Sequence, residues 1–307
     1  MTMKKKMLAG AVTLLSLATL AACSQGAGKD IVTMKGETIT VEEFYNKIKT
    51  SPQTQQALVD MTINQVFEAK YGKKITDKEV DAEYDKTAKA YGDSFNQVLA
   101  QQGLTADTFR TELRARMLGN YVIKQAAEKE INDEALKTAY NDYTPEVTTQ
   151  IVKVADEETA KQVKEKADAG EDFAGLAKEY STDTDTKDKG GESKFDSGTT
   201  TVPTDVRNAA FALENGQVSD VITVTNNLSS NYYVVKMVSK SEKKADWKEY
   251  KDRLKEILVA SKTADQSFVQ SVIAKEMADA NIKIKDPAFQ NIFNQYISSQ
   301  GATSSSK

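Results

Sequence analysis

The chain has 307 residues, of which 28% are charged and 39% hydrophobic, a length that suits about two domains. Acidic side chains outnumber basic ones by 45 to 41, so the composition predicts no basic surface for nucleic acid and no nucleic-acid partner. Histidine is absent, which excludes His-dependent acid–base catalysis, Ser-His and Cys-His nucleophile pairs, and the commonest metal ligand.

The N-terminal segment has the pattern of an export signal. Three lysines at 4–6 precede an apolar and small-residue run at 7–20, which is shorter than the roughly 20 residues that a helix needs to cross a bilayer. The run ends in Leu-Ala-Ala-Cys at 20–23, which resembles a lipobox, and Cys23 is the only cysteine. We expect cleavage after residue 22 and lipidation of Cys23, which would anchor the protein to the outer face of the cell membrane. The alternative is an ordinary signal peptide with a chance cysteine.

Local signals then predict a hairpin followed by a series of helices. Residues 31–40 alternate around a Lys-Gly turn and predict the hairpin. Thr40 with Glu43 forms a capping box for a first helix, and Ser51 followed by Pro52 marks the start of a second. Further helices are predicted from Thr76 to Tyr91, from Phe95 to Gln102, from Thr105 through Tyr121, and from Asn132 toward Tyr140.

After Pro145 the pattern changes to that of a mixed α+β unit. Strands are predicted at 147–154, 221–224 and 232–238, helices at 156–169, 173–180 and 206–213, and a polar loop up to the glycine pair at 190–191. Helix returns from 246 to about 279. A last strand is predicted at 282–284 and a last short helix at 289–296.

The predicted fold class is α+β, with one domain inserted into another. Apolar stripes run along the helices of both 31–144 and 241–297, and neither segment can bury its stripes alone. We therefore predict that the two segments form one helical domain and that 145–240 is inserted between them, with its ends close together. The remaining segments are a signal peptide at 1–22, a lipidated tether at 23–30 and a disordered tail at 298–307.

The central unit resembles a known family. A series of short segments follow one another in the order and spacing of a parvulin-type peptidyl-prolyl isomerase domain. They are VTTQIV at 147–152, DEETA at 156–160, DFA at 172–174, AKEYS at 177–181, GG at 190–191, AAFAL at 209–213, GQVS at 216–219 and YYVVK at 232–236. With helices on both sides and a lipobox before them, the whole chain resembles the PrsA-type extracellular foldase lipoproteins of Gram-positive bacteria.

This resemblance implies a membrane-anchored chaperone that helps secreted proteins to fold after translocation. Its partners would be unfolded or newly translocated proteins, together with the membrane through the lipid on Cys23. The parvulin domain belongs to the peptidyl-prolyl cis-trans isomerase class (EC 5.2.1.8) and needs no cofactor. The resemblance leaves open whether the chain acts as a monomer or as a homodimer.

The resemblance also indicates where an isomerase site would lie, and the polar residues there depart from the family pattern. The two parvulin histidines fall on Gln150 and Tyr233, within a residue of alignment, and neither side chain titrates near neutral pH. Asp183 matches, since parvulins carry Cys or Asp there. We therefore expect isomerase activity to be weak or absent, with holding of unfolded clients as the main function; an active isomerase is the alternative.

The apolar part of the implied site is reduced as well. The Met and Phe of the parvulin proline pocket fall on Val202 and Val206, with Phe195 and Phe211 nearby if the family fold holds. Valines offer less surface to a proline ring than the larger side chains that they replace. This substrate-binding set therefore predicts a smaller apolar floor.

The residues argue against two further functions, a calcium-binding loop and a solute-binding lipoprotein. The acidic loop that begins at Asp183 fails the pattern of a calcium loop, because Lys187 and Lys194 occupy the fifth and twelfth positions, and we predict no metal site. An extracytoplasmic solute-binding lipoprotein would share the lipobox but would need two α/β lobes with repeated strand–helix alternation. Only 145–240 contains such strands.

Overall fold

The computed structural model describes residues 28–226 and 229–297. Its strands are β1 (Asp30–Met34), β2 (Glu37–Thr40), β3 (Val147–Val154), β4 (Glu192–Phe195), β5 (Ile222–Asn226) and β6 (Ser229–Lys240). Its α-helices are α1 (Val41–Ile48), α2 (Pro52–Tyr71), α3 (Asp77–Tyr91), α4 (Phe95–Gln101), α5 (Ala106–Glu130), α6 (Asp133–Asp142), α7 (Glu157–Asp168), α8 (Phe173–Tyr180), α9 (Thr204–Ala212), α10 (Lys251–Ala264), α11 (Gln266–Asp279) and α12 (Asn294–Ile297). The predicted signal peptide, Cys23 and the predicted tail lie outside these ranges. Within them, no helix combines the length and hydropathy needed to cross a membrane.

Capping residues fix where the helices begin. Thr40 and Glu43 form the expected capping box at α1, in which each side chain accepts a hydrogen bond from the other residue's backbone N–H. The predicted continuous helix over 246–279 is wrong, because Asp265 has an extended backbone and divides it into α10 and α11. The Asp265 carboxylate accepts the backbone N–H of Ser267 at 2.8 Å and so caps α11.

The N- and C-terminal segments share one hydrophobic core, as the sequence predicted. Helices α2 and α5 from the first segment pack against α11 from the second. The buried side chains are Val59, Ile63, Phe67, Leu118, Val122, Ala127, Phe268, Val272, Met277 and Phe293. The predicted strand at 282–284 is absent from this described region; Ile282 and Ile284 instead pack against the same core as irregular chain.

The inserted unit is a four-stranded antiparallel sheet in the order β4-β3-β6-β5. Helices α7 and α8 cover one face, where they bury Val152, Val154 and Val234. Helix α9 covers the other face and buries Val147 and Val235 among others. Strand β4, which was not predicted from the sequence, pairs with the first half of β3 and forms an edge of the sheet.

The two connections between the helical domain and the insert run side by side. Ser241 donates its backbone N–H to the Glu146 carbonyl at 3.0 Å. Further along, the Tyr140 hydroxyl donates to the Lys244 carbonyl at 2.6 Å, and the Lys243 ammonium donates to the Tyr140 carbonyl at 2.7 Å. The ends of the insert are therefore adjacent, as an inserted domain requires.

A buried ion pair joins the insert to the helical domain. Asp196 follows β4 and is only 6% exposed. Its carboxylate accepts two hydrogen bonds from Arg253 of α10, at 2.7 and 2.8 Å, and a third from the Tyr143 hydroxyl at 2.9 Å. Burial alone would raise the Asp196 pKa, but the hydrogen bonds from Arg253, Tyr143 and Thr199 outweigh it and lower the pKa to about 2. This contact fixes the insert against α10.

Candidate functional site

A small cavity of about 190 Å³ opens on the α9 face of the sheet. It lies where β3 and β6 face the loop before β4 and the start of α9. The lining residues are Ile151, Lys153, Asp183, Asp185, Thr186, Ser193, Thr201, Val202, Pro203, Val206 and Tyr233. Four of the residues predicted from the sequence meet here: Asp183, Val202, Val206 and Tyr233.

The Asp183 carboxylate is held by its own loop. One oxygen accepts the backbone N–H of Asp185 at 3.1 Å, and the other accepts the hydroxyl of Thr186 at 2.8 Å. Two glycines close this loop against the sheet and its helices. A Cβ on Gly191 would lie 2.6 Å from the Ile151 carbonyl, and Gly191 has a φ of +76°, so only glycine fits without a shift.

Tyr233 supplies the phenol at one wall of the cavity. Its side chain is nearly buried, and burial together with the negative charge of Asp183 raises the pKa of its hydroxyl. The phenol is therefore protonated at neutral pH and can donate a hydrogen bond. Among the described residues, neither this hydroxyl nor the Lys153 ammonium has a hydrogen-bond partner, so both are available to a ligand in the cavity.

The apolar floor is formed by Val206, which is fully buried, together with Val202, Ile151 and Pro203. The predicted Phe195 and Phe211 do not line the cavity. They pack against each other in the core beneath it, with ring centroids 5.7 Å apart. Their role in the structure is to support the floor.

Gln150 is not brought into the cavity. Successive side chains of a strand point to opposite faces, so Gln150 lies on the far side of β3 from Ile151 and Lys153. Its amide donates to the Gly190 carbonyl at 3.2 Å instead. Ile151 and Lys153 were not predicted as site residues; the alternation of side chains along a strand places both on the face opposite Gln150.

The arrangement can bind a small apolar group beside a few polar donors. Valine-sized side chains line its floor, and hydroxyl, ammonium and carboxylate groups stand at its walls. In the part of the chain that the structure describes, no group of three or more Asp, Glu, Cys or His residues could hold a metal ion. The cavity therefore suits a short peptide segment bound without covalent chemistry.

Comparisons with known proteins agree with this geometry. The family model for the PPIC-type PPIase (rotamase) domain matches residues 143–238. The chain is 58% identical over 309 residues to the foldase protein PrsA of Streptococcus gordonii, covering 99% of this chain and all of that protein. It is 57% identical to the foldase protein PrsA of Streptococcus sanguinis, covering 98% and 90% of the two chains.

Two solved structures share the fold. The crystal structure of foldase protein PrsA from Streptococcus pneumoniae aligns with a TM-score of 0.78 at 48% identity, covering 88% of this chain and all of that one. The foldase protein from Lactococcus lactis aligns with a TM-score of 0.65 at 35% identity, covering 88% and 99%.

Proposed function

Since this chain belongs to the PrsA foldase family, with a PPIC-type parvulin domain inserted in its helical domain, we propose that it is an extracytoplasmic foldase that works mainly as a holding chaperone. Its clients are unfolded secreted proteins as they emerge from translocation. Its parvulin domain contributes weak isomerase activity or none. The solute-binding alternative is set aside, because the described residues contain one four-stranded sheet and not two α/β lobes.

The composition of the cavity carries this proposal. Rotation about an X-Pro bond faces a barrier of about 20 kcal/mol, which a rotamase lowers by gripping the proline ring and weakening amide resonance. Here the floor is made of small aliphatic side chains and a proline, no imidazole is present in the chain, and the Asp183 carboxylate already accepts two hydrogen bonds from its own loop. The cavity therefore has few groups that would bind the twisted amide more strongly than the planar one.

Client binding is better supported on the helical domain. A groove of about 610 Å³ runs between α2 and the end of α11, lined by Val66, Ala69 and Ile282, with Lys70 and Glu276 at its rim. Apolar side chains bordered by charges can hold extended chains of varied sequence, because burial of apolar surface has no directional requirement. We assign the holding function to this groove.

The test measures two activities on the same purified protein. We expect wild type and Asp183→Ala to give similarly slow cis-trans rates on a proline peptide. In the second measurement, Val66→Ser should weaken suppression of client aggregation. Met61→Ser is the matched control, because Met61 is exposed on the same helix and lies outside the groove. Vigorous isomerisation that Asp183→Ala abolishes would instead show an active rotamase. An equal loss of aggregation suppression in Val66→Ser and Met61→Ser would refute the assignment of client binding to the groove.

We also propose that the lipid on Cys23 anchors the protein to the outer face of the membrane. The Leu-Ala-Ala-Cys motif and the absence of a second cysteine support this. The diacylglycerol of a lipoprotein supplies two acyl chains, which hold a membrane far more firmly than one. Cys23→Ser should release the protein into the medium or leave it uncleaved. A Cys23→Ser protein that still partitions into detergent with its lipid would refute the assignment.

A further inference from the structure

The N-terminal hairpin and α1 present apolar side chains to solvent. None of residues 28–48 is buried. Among the described residues, nine large apolar side chains stand out as exposed, and six of them lie between 31 and 45. Five of these, each between 39% and 50% exposed, define what we call the N-terminal apolar surface: Ile31, Val32, Met34, Ile39 and Phe44.

The hairpin register places three of these side chains on one face. Val32 pairs directly with Ile39 across the two strands, and Met34 follows on the same face two residues later. Helix α1 adds Phe44, which is half exposed, whereas Val41 and Ile48 are partly buried. Nothing in the described part of the chain covers this apolar face of the two-stranded sheet. Such an uncovered face is unusual, because soluble domains rarely expose several large apolar side chains together.

Tyr45 ties α1 to the body of the protein. The Tyr45 hydroxyl donates to the Asp286 carboxylate at 2.7 Å, and its ring lies 6.3 Å from that of Phe289. These contacts hold the helix in place but leave the hairpin and Phe44 uncovered. The apolar surface is therefore presented outward in a fixed orientation.

The position of this surface in the chain identifies its occupant. Asp30 lies seven residues after Cys23, so a fully extended tether spans at most about 25 Å. We propose that the N-terminal apolar surface docks at the boundary between headgroups and acyl chains of the membrane that holds the Cys23 lipid, an inference that rests on the proposed anchor. The short tether gives the surface a high effective concentration at the bilayer.

The area of this surface favours a bilayer over a second copy of the chain, and its charge does not oppose a bilayer. Basic and acidic side chains are balanced over 29–49, with four lysines against Asp30 and three glutamates, so neither sign opposes approach to a membrane. Half-exposed side chains of this size offer on the order of 100 Å² each. Five of them give well under the roughly 800 Å² per partner that a stable protein interface buries. Shallow insertion needs no complementary partner surface.

The experiment places a tryptophan in the surface of the full lipidated protein in phospholipid vesicles with brominated acyl chains. Wild type contains one tryptophan, Trp247, which gives the background emission. For Phe44→Trp we expect the additional emission to shift to shorter wavelength and to lose at least half its intensity to the bromines. Met61→Trp is the control, exposed on α2 and outside the surface, and should show no quenching. Adding Val32→Ser and Ile39→Ser to Phe44→Trp should restore most of the emission.

Each part of the proposal fails by a different result. If the wild-type protein does not float with vesicles, the anchor is refuted and the docking inference falls with it. If the protein floats but the Phe44→Trp emission is quenched no more than that of Met61→Trp, the anchor stands and the docking is refuted. An emission change that appears without quenching and grows with protein density would identify a second copy of the chain as the occupant and would likewise overturn the inference.

Discussion

Replacing Asp196 with asparagine will destabilise the junction between the inserted parvulin domain and α10. Asp196 is buried, and its carboxylate accepts two hydrogen bonds from the Arg253 guanidinium as well as one from the Tyr143 hydroxyl. The substitution removes the negative charge and leaves Arg253 without its main partner. Because α10 belongs to the helical domain, the loss acts on the contact between the two domains.

The size of the effect follows from the lowered pKa. A pKa of about 2 in place of 3.8 corresponds to about 2.5 kcal/mol of stabilisation of the charged form, at about 1.4 kcal/mol per unit. Arg253 keeps 37% side-chain exposure, so solvent screens part of the attraction. We expect Asp196→Asn to lower the free energy of unfolding by about 2 kcal/mol at pH 7.

The pH dependence provides a second measure of the same contact. A lowered pKa means that the stabilisation is complete above pH about 5, shrinks as the unfolded chain takes up the proton first, and is lost as the pH falls through about 2. The Asp196→Asn protein lacks this contribution. The difference between the two proteins should therefore narrow between pH 5 and 2.

Urea unfolding can be followed by the fluorescence of Trp247, which packs against the cluster that contains Tyr143 and Leu254. Glu256→Gln is the matched control, since Glu256 also pairs with Arg253 but is 68% exposed, and it should change stability by less than about 0.5 kcal/mol. Equal stability of Asp196→Asn and wild type at pH 7, or a difference that stays constant down to pH 2, would refute the reasoning.

Three other outcomes test the fold and the site. Gly191→Ala should destabilise the protein by about 2 kcal/mol or more in urea unfolding. Gly216 also has a positive φ, but a Cβ added there would meet open space, so Gly216→Ala should destabilise the protein less. Equal losses of stability would mean that Gly191 does not approach β3 closely. Leu254→Ala should cost about 3 kcal/mol, because Leu254 is fully buried where α10 meets α6; a loss below about 1 kcal/mol would contradict that packing. Lys153→Gln should weaken binding of a proline peptide that has an acidic neighbour more than it weakens binding of the neutral analogue, as measured by titration at low salt. Equal reductions would mean that Lys153 does not recognise the acidic residue.

The helical domain was predictable because its signals are local. Capping residues such as Thr40 and Asn132 are followed by apolar residues at helical spacing, and the structure begins α1 and α6 there. The break at Asp265 was missed, because the apolar spacing continues across it and only the extended backbone of that one residue interrupts the helix. Strand β4 was missed for a different reason: its four residues are mostly polar, and its pairing with β3 supplies the order that its sequence does not suggest.

The site was predictable in part. The resemblance named Asp183, Val202, Val206 and Tyr233, and these meet in one cavity although they come from separate parts of the insert. Gln150 illustrates the limit, since a shift of one residue along a strand moves a side chain to the opposite face. The Asp196 contact with Arg253 lay beyond sequence reasoning, because the two residues are 57 positions apart and in different domains.

The shared core of the helical domain also sets the order in which the molecule can assemble. The Tyr71 hydroxyl donates to the Glu276 carboxylate across 205 positions of the chain. Helix α2 can pack against α5 early, but the part of their core that α11 covers stays open until α11 has been made. The strands of the parvulin domain lie within fewer than 100 residues of one another and close much shorter loops. We therefore expect the parvulin domain to fold first during synthesis, while the N-terminal helices still expose part of their apolar stripes. Until its last helices emerge, a foldase of this architecture therefore has a folded parvulin domain but exposes apolar surface of its own N-terminal helices.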